Sequence, residues 1–242
     1  MESTPKIWPG SGDACCSHST LPIQTKSSTA AFSQHTTWST TTLANADTLV
    51  QENGYTGEVI RLGIMRAYAT RHGAGPLLTE DRALADILPE PHNNWNDWQR
   101  DFRVGYCDLV AARYARDVVG QLDHLAVTHV DYLPYILEWK FCTAYRYQGV
   151  QTDLSTSFQH SGNRITALTV KQPPDLAYQE RLTQQLQACV PDYQILARKA
   201  HSSITPADQA NYLALIAEKL SVPIAITSFG PTAEDKVSFL TL

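Results

Sequence analysis

Four groups of residues in this 242-residue chain have the types and spacing to do chemistry. The first is "TRHGAGP", Thr70 to Pro76, where Arg71 and His72 stand before Gly73 and Gly75. The guanidinium fork matches a phosphate or a carboxylate, and the glycines would let backbone come close to a bound anion. The competing reading is a tight turn with its charges left in water. The second is "VTHVD", which puts the carboxylate of Asp131 at the end of a short apolar run. Such a carboxylate accepts two parallel N–H bonds from the Watson–Crick edge of guanine. Adenine offers an acceptor there and would leave it unpaired, a mismatch that discriminates strongly. Ser228 and the backbone amides up to Gly230, in "TSFGP", could meet the guanine oxygen from a neighbouring strand. Alternatively, Asp131 caps the turn before Pro134.

Arg100 and Arg103 form the third group. They flank Phe102 in a polar loop and could clamp a small dicarboxylate, or could simply lie on the surface. The fourth is "HTTWSTTTLANAD", which clusters hydroxyls ahead of a helix. That is a usable phosphate cradle, and equally a place for N-capping by Ser39, Thr40 or Thr41. Other signals fail. No G-x-x-x-x-G-K-[ST] occurs, and Gly10-Ser11-Gly12-Asp13 has no lysine after it. GxSxG and HExxH are absent, and His129 reads as a packing or hydrogen-bonding residue.

The elements that must hold these groups follow from periodicity. Residues 1–34 are rich in Ser and Thr with no helical or strand period, and read as a disordered or unrelated leader before a domain over 35–242. Thr42 to Glu52 predicts a helix with Leu43, Ala46, Leu49 and Val50 on one face. Val59 to Tyr68 reads as extended, and the strand from Ile64 to Thr70 delivers Arg71 and His72 at its tip. Helices are predicted over Thr79–Leu88, Tyr106–Val119 (closed by Gly120) and Asp175–Cys189. A last helix opens at Thr205-Pro206-Ala207-Asp208 with Leu213, Ile216, Ala217 and Leu220 as its buried stripe. Leu125–Val130, Leu137–Tyr147 and Ile224–Thr227 read as strands, and 148–172 as loops or short hairpin strands. Helices alternating with short apolar strands give an α/β class with a mostly parallel sheet and flanking helices. In such sheets ligands gather at the carboxyl ends of strands, where Thr70–Gly75, Thr128–Asp131 and Ser228–Gly230 fall.

Bulk properties narrow the partners. The chain is 43% hydrophobic and 18% charged with a formal net charge of -5, which suits a globular domain and argues against nucleic acid as a partner. No apolar run is long enough for a membrane span. The five cysteines (Cys15, Cys16, Cys107, Cys142 and Cys189) lack zinc spacing and read as reduced thiols of a cytoplasmic protein.

The segments "HTTWSTTT", "RLGIMRAYATRHGAGPLLTE", "RVGYCDLVAARYA", "LAVTHVDYLP", "FCTAYRYQG" and "VPIAITSFGP", in this order, resemble the C-terminal part of adenylosuccinate synthetase. The family joins aspartate to IMP at the expense of GTP, with magnesium, on a P-loop NTPase-like fold, commonly as a homodimer. The resemblance implies Thr41 and Thr42 near the phosphate of the purine monophosphate, His72 near its ribose, and Arg71 with the glycines forming the floor below. It implies Arg100 and Arg103 in the loop that grips aspartate, and Asp131, Ser228 and Gly230 reading the guanine of GTP.

The chain departs from the family pattern in several places. His129 stands where the family has Lys, and "DWQRDFR" replaces Thr-Gly-Arg-x-Arg-Arg. "TRHGAGP" and "HTTW" look closer to the divergent, phage-like branch, some members of which use a guanine deoxynucleotide in place of IMP. Residues 1–34 match none of the N-terminal half that carries the phosphate loop, the magnesium-binding catalytic Asp and the catalytic His. The expectation is a truncated ligase, weak or inactive alone; the alternative is a non-catalytic nucleotide-binding or heteromer-forming remnant.

Overall fold

The computed structural model describes residues 42–240 except 74, 89, 91–92, 94, 96, 98–99, 151–152, 173–174 and 199–203. In chain order the first elements are α1 (Ala44–Glu52), β1 (Leu62–Arg66), β2 (Ala69–His72), α2 (Arg82–Ile87), β3 (Phe102–Gly105) and β4 (Cys107–Asp108). Next come α3 (Leu109–Val119), β5 (His124–Thr128), a 3-10 turn (Val130–Tyr135), β6 (Glu138–Tyr147), β7 (Phe158–Ser161) and β8 (Arg164–Leu168). The chain closes with α4 (Leu176–Gln187), β9 (Cys189–Arg198), α5 (Pro206–Leu220), β10 (Ile224–Ser228) and β11 (Lys236–Ser238).

Strands β1, β5 and β10 form the parallel sheet, with β11 added antiparallel at one edge. Their apolar runs pack one face against α5, whose Tyr212, Ile216 and Leu220 share a core with Met65, Leu125, Val127 and Leu109. A second, mixed sheet is built on β6, which pairs parallel with β4 and antiparallel with β8 and β9. Its core joins Val110 and Tyr114 of α3 to Tyr145, Ile165, Tyr178 and Leu182. Helix α3 therefore serves both cores from adjacent positions on its surface: Leu109 enters one and Val110 the other.

Capping decides where the helices begin. Thr205 and Asp208 make a reciprocal box at the start of α5, with Thr205 N–H to Asp208 Oδ2 at 2.9 Å and Pro206 in the first turn. Asp108 accepts from the amides of Val110 and Ala111, both at 3.0 Å, so α3 starts at Leu109 rather than Tyr106. Gly120 ends it at φ 88°, a conformation a side chain resists. Asp81 caps α2, which is why that helix begins after Thr79 and Glu80.

Three expectations are corrected. The strand through Ile64–Thr70 is two strands: β1 stops at Arg66, and β2 leaves the parallel sheet to pair antiparallel with β3. The predicted apolar face of α1 buries none of its residues, and Leu49 is 59% exposed. An Arg61–Asp47 ion pair at 3.0 Å ties this helix to the start of β1. Finally, Cys189 opens β9 rather than closing a helix; this long partner of β6 has only weak alternation and was not anticipated.

Candidate functional site

The two parts of the second group stand at the carboxyl ends of neighbouring strands, β5 and β10. β5 ends at Thr128, whose hydroxyl lies 3.0 Å from His129 Nδ1. His129 turns the chain at φ 59°, in the left-handed region, and starts the 3-10 turn whose first residues carry Asp131. This turn packs beside the end of β10. There Ser228, almost fully buried, donates its hydroxyl to Gly230 O at 3.0 Å, and Phe229 N–H donates to Asp235 O at 2.9 Å. Gly230 lies so close to the Asp235 side chain that a Cβ would sit 2.6 Å from its carboxyl carbon. Lys236, opposite Ser228 across β11, donates its ammonium to Gly230 O and, at 2.8 Å, to Thr232 O.

Electrostatics link the two tips. Burial pushes the Asp131 carboxyl up and a bond from its own backbone amide pulls it back, while the Asp235 carboxylate pushes it up and the Lys236 ammonium opposes. Asp131 is therefore a half-buried carboxylate within the field of the β10–β11 turn, with desolvation that a two-donor ligand would relieve. Since the Ser228 proton is committed to Gly230 O, the donor left for a purine oxygen is the Gly230 amide, which has no acceptor among the described residues.

His129 is held neutral. Burial and the Arg66 guanidinium lower its pKa to about 4. Its ring stacks on Tyr132 at 5.4 Å and meets Tyr68 edge-on at 5.8 Å.

The first and third groups sit on β2, β3 and the excursion between them. Arg71 is buried at 3% exposure, and burial followed by the neighbouring Arg103 lowers its pKa to about 10. Gly75, at φ 105°, is required by that side chain: a Cβ there would stand 2.4 Å from Arg71 Nη2. The glycine loop thus wraps its own guanidinium. Arg103 closes the loop from outside, with Nε to Gly73 O at 3.0 Å, Nη2 to Gly75 O at 2.6 Å and Nη1 to Glu80 at 2.7 Å. At least three of its five N–H donors are committed, so Arg103 organises the loop and keeps at most two for a ligand. Arg100 faces outward at φ 60°, with its guanidinium 5.9 Å from the Trp95 ring centre.

His72 Nε2 lies 3.2 Å from Asn93 Oδ1, and its ring meets Phe102 at 4.7 Å. Thr42 precedes α1, where Leu43 occupies the cap position without a side-chain cap bond. Thr41 and the proposed capping residues Ser39 and Thr40 lie outside the described residues.

Sequence reasoning missed two carboxylates. Glu90 binds Arg66 and Tyr68 beside these tips, and Asp108, at the end of β4, caps α3 and accepts from the Tyr145 hydroxyl beside the second core. Glu90, between two prolines in a polar loop, gave no signal. Asp108 could have been found as an acidic N-cap directly before the Leu109–Val119 stripe. No three His, Cys, Asp or Glu side chains converge among the described residues, and no chemical step is assigned to a metal ion. Nor is any described helix long and apolar enough to cross a membrane.

The parallel order of β1, β5 and β10 with flanking helices defines an α/β fold, and comparison with known proteins specifies it further. The adenylosuccinate synthetase family model matches residues 29–237, and the chain belongs to that family. It is 34% identical over 172 residues to adenylosuccinate synthetase of Salinibacter ruber, covering 70% of this chain and 35% of the relative. Against the organellar chromatophore enzyme of Paulinella chromatophora it is 32% identical over 178 residues, covering 73% and 37%. The fully ligated adenylosuccinate synthetase structure from Plasmodium falciparum shares the fold, with a TM-score of 0.57 at 18% identity, over 85% of this chain and 46% of that one. The chain spans about a third of the length of the curated relatives it matches.

Proposed function

We propose that this chain supplies the guanine-reading and monophosphate-facing parts of a GTP-dependent ligase that joins aspartate to IMP or a related purine monophosphate. One observation carries the reading: Asp131, Ser228 and Gly230 stand at the adjacent ends of parallel strands β5 and β10, in a chain of the adenylosuccinate synthetase family. Asp131 accepts the two N–H groups of the guanine edge, and the Gly230 amide meets the guanine oxygen. Adenine would oppose its own acceptor to the carboxylate. Thr41, Thr42, Arg71 and His72 face the purine monophosphate, with Arg71 acting from beneath the glycine loop as a fixed positive charge. Arg100 grips the aspartate carboxylates, and Arg103 contributes by holding the loop in shape. In the family reaction GTP phosphorylates the purine oxygen and the aspartate amine then displaces phosphate, so positioning and charge complementarity dominate catalysis. On this reading the protein works in the cytoplasm, as a homodimer.

Calorimetric titration with GTP and ATP, run beside an assay of GTP-dependent aspartate ligation, tests the proposal. GTP should bind saturably and Asp131→Asn should weaken it. Equal affinity for ATP and GTP, or an unchanged affinity in the variant, would remove Asp131 from base recognition.

A further inference from the structure

Beside the strand tips lies a hydrogen-bond chain with a defined direction. It starts at Glu90, whose side chain is 13% exposed. Glu90 Oε1 accepts from Arg66 Nη1 at the end of β1 and from the Tyr68 hydroxyl at 2.8 Å. Its second oxygen, Oε2, accepts from Asn93 Nδ2 at 2.8 Å. The Asn93 backbone amide also donates to Glu90 O at 3.1 Å, a second bond between the two residues. On the far side Asn93 Oδ1 lies 3.2 Å from His72 Nε2.

Donor and acceptor chemistry gives this chain only one polarity. An arginine-paired carboxylate has no proton to give, so the Asn93 group facing it is the NH2 and not the carbonyl. The Asn93 carbonyl must then point the other way, at His72. A carbonyl only accepts, so the His72 nitrogen facing it carries a proton. The neutral ring accordingly has its hydrogen on Nε2, leaving Nδ1 as the acceptor. Phe102, edge-on at 4.7 Å, restrains the ring plane.

We infer that Glu90 and Asn93 are positioning residues that fix the orientation and the Nε2–H tautomer of His72. The remaining ring nitrogen, Nδ1, is buried within the protein, so the chain fixes the ring from its exposed-corner side inward. Arg66 and Tyr68 anchor Glu90, so the orientation of His72 is set from the end of β1, across three side chains.

The test is a long-range 1H–15N spectrum of protein labelled at histidine nitrogens, recorded at about pH 8, above the ordinary imidazole range. His72→Gln identifies the His72 signals by their loss. The expected wild-type spectrum has His72 Nε2 protonated and Nδ1 unprotonated, and Asn93→Ala and Glu90→Gln should each shift it toward a mixture of tautomers. A protonated Nδ1 in wild type, or an unchanged spectrum in both variants, overturns the inference.

Discussion

Asp108 and Asp131 stand at comparable junctions, each where a strand gives way to a helical turn, and they are used in opposite ways. Asp108 is fully committed: it accepts from Val110 N–H, Ala111 N–H and, at 2.7 Å, the Tyr145 hydroxyl. Burial raises its pKa, and these bonds, with the nearby Arg113, pull it back. Asp131 is only half-buried, and its carboxyl has one donor, its own backbone amide, with Asp235 and Lys236 acting on it in opposite directions. A carboxylate satisfied by the protein is a structural part, whereas one carrying a desolvation cost with few internal donors is poised for a ligand. Strand-end position alone does not separate the two; the inventory of donors does.

The largest expected effect breaks the structural side of that contrast. Asp108→Ala leaves the Tyr145 hydroxyl and two amides unpaired in the second core, so urea denaturation should report about 3 kcal/mol of lost stability. Asp131→Asn should behave in the opposite sense. GTP affinity should fall about 100-fold, since one acceptor is replaced by a donor facing the guanine edge. Stability should hold or rise. The raised pKa means the folded state favours the uncharged carboxyl, so its stabilising contribution is full at low pH and lost as pH rises through the folded value. An amide that cannot ionise escapes that loss.

Smaller effects sharpen the picture. Arg103→Ala removes three bonds that shape the glycine loop and should cost about 1–2 kcal/mol, with Arg103→Lys recovering only part because an ammonium cannot reproduce the fork. His129 supplies a pH signature. Its folded pKa, near 4, lies below the ordinary value, so protons bind the unfolded chain more readily between about pH 6.5 and 4. Stability should therefore fall as pH drops through that window. The fall should be shallower in His129→Asn, a substitution that tolerates the positive φ.

Much of this was legible in the chain itself. The Thr205–Asp208 box, the Gly120 stop and the apolar runs of β5 and β10 all carry local signals that tertiary structure respects. Where reading failed, the cause was long-range. "AYATRH" is strand-like throughout, and only pairing partners far away in sequence show that it divides after Arg66 between two sheets. The apolar face of α1 satisfies a helical period, yet no described core receives it. Gly73 and Gly75 read as a close approach to a bound anion; in the structure Gly75 packs against Arg71, in a loop whose carbonyls Arg103 holds from another strand, a contact that no local pattern encodes.

The central claim is that the ends of β5 and β10 together read a guanine edge. Backbone and carboxylate resonances followed by NMR during titration with GTP, and separately with ATP, test it most directly. The account predicts that GTP shifts Asp131, Ser228 and Gly230 together and saturably while ATP leaves them in place. Shifts confined to other residues, or identical responses to the two nucleotides, would contradict it.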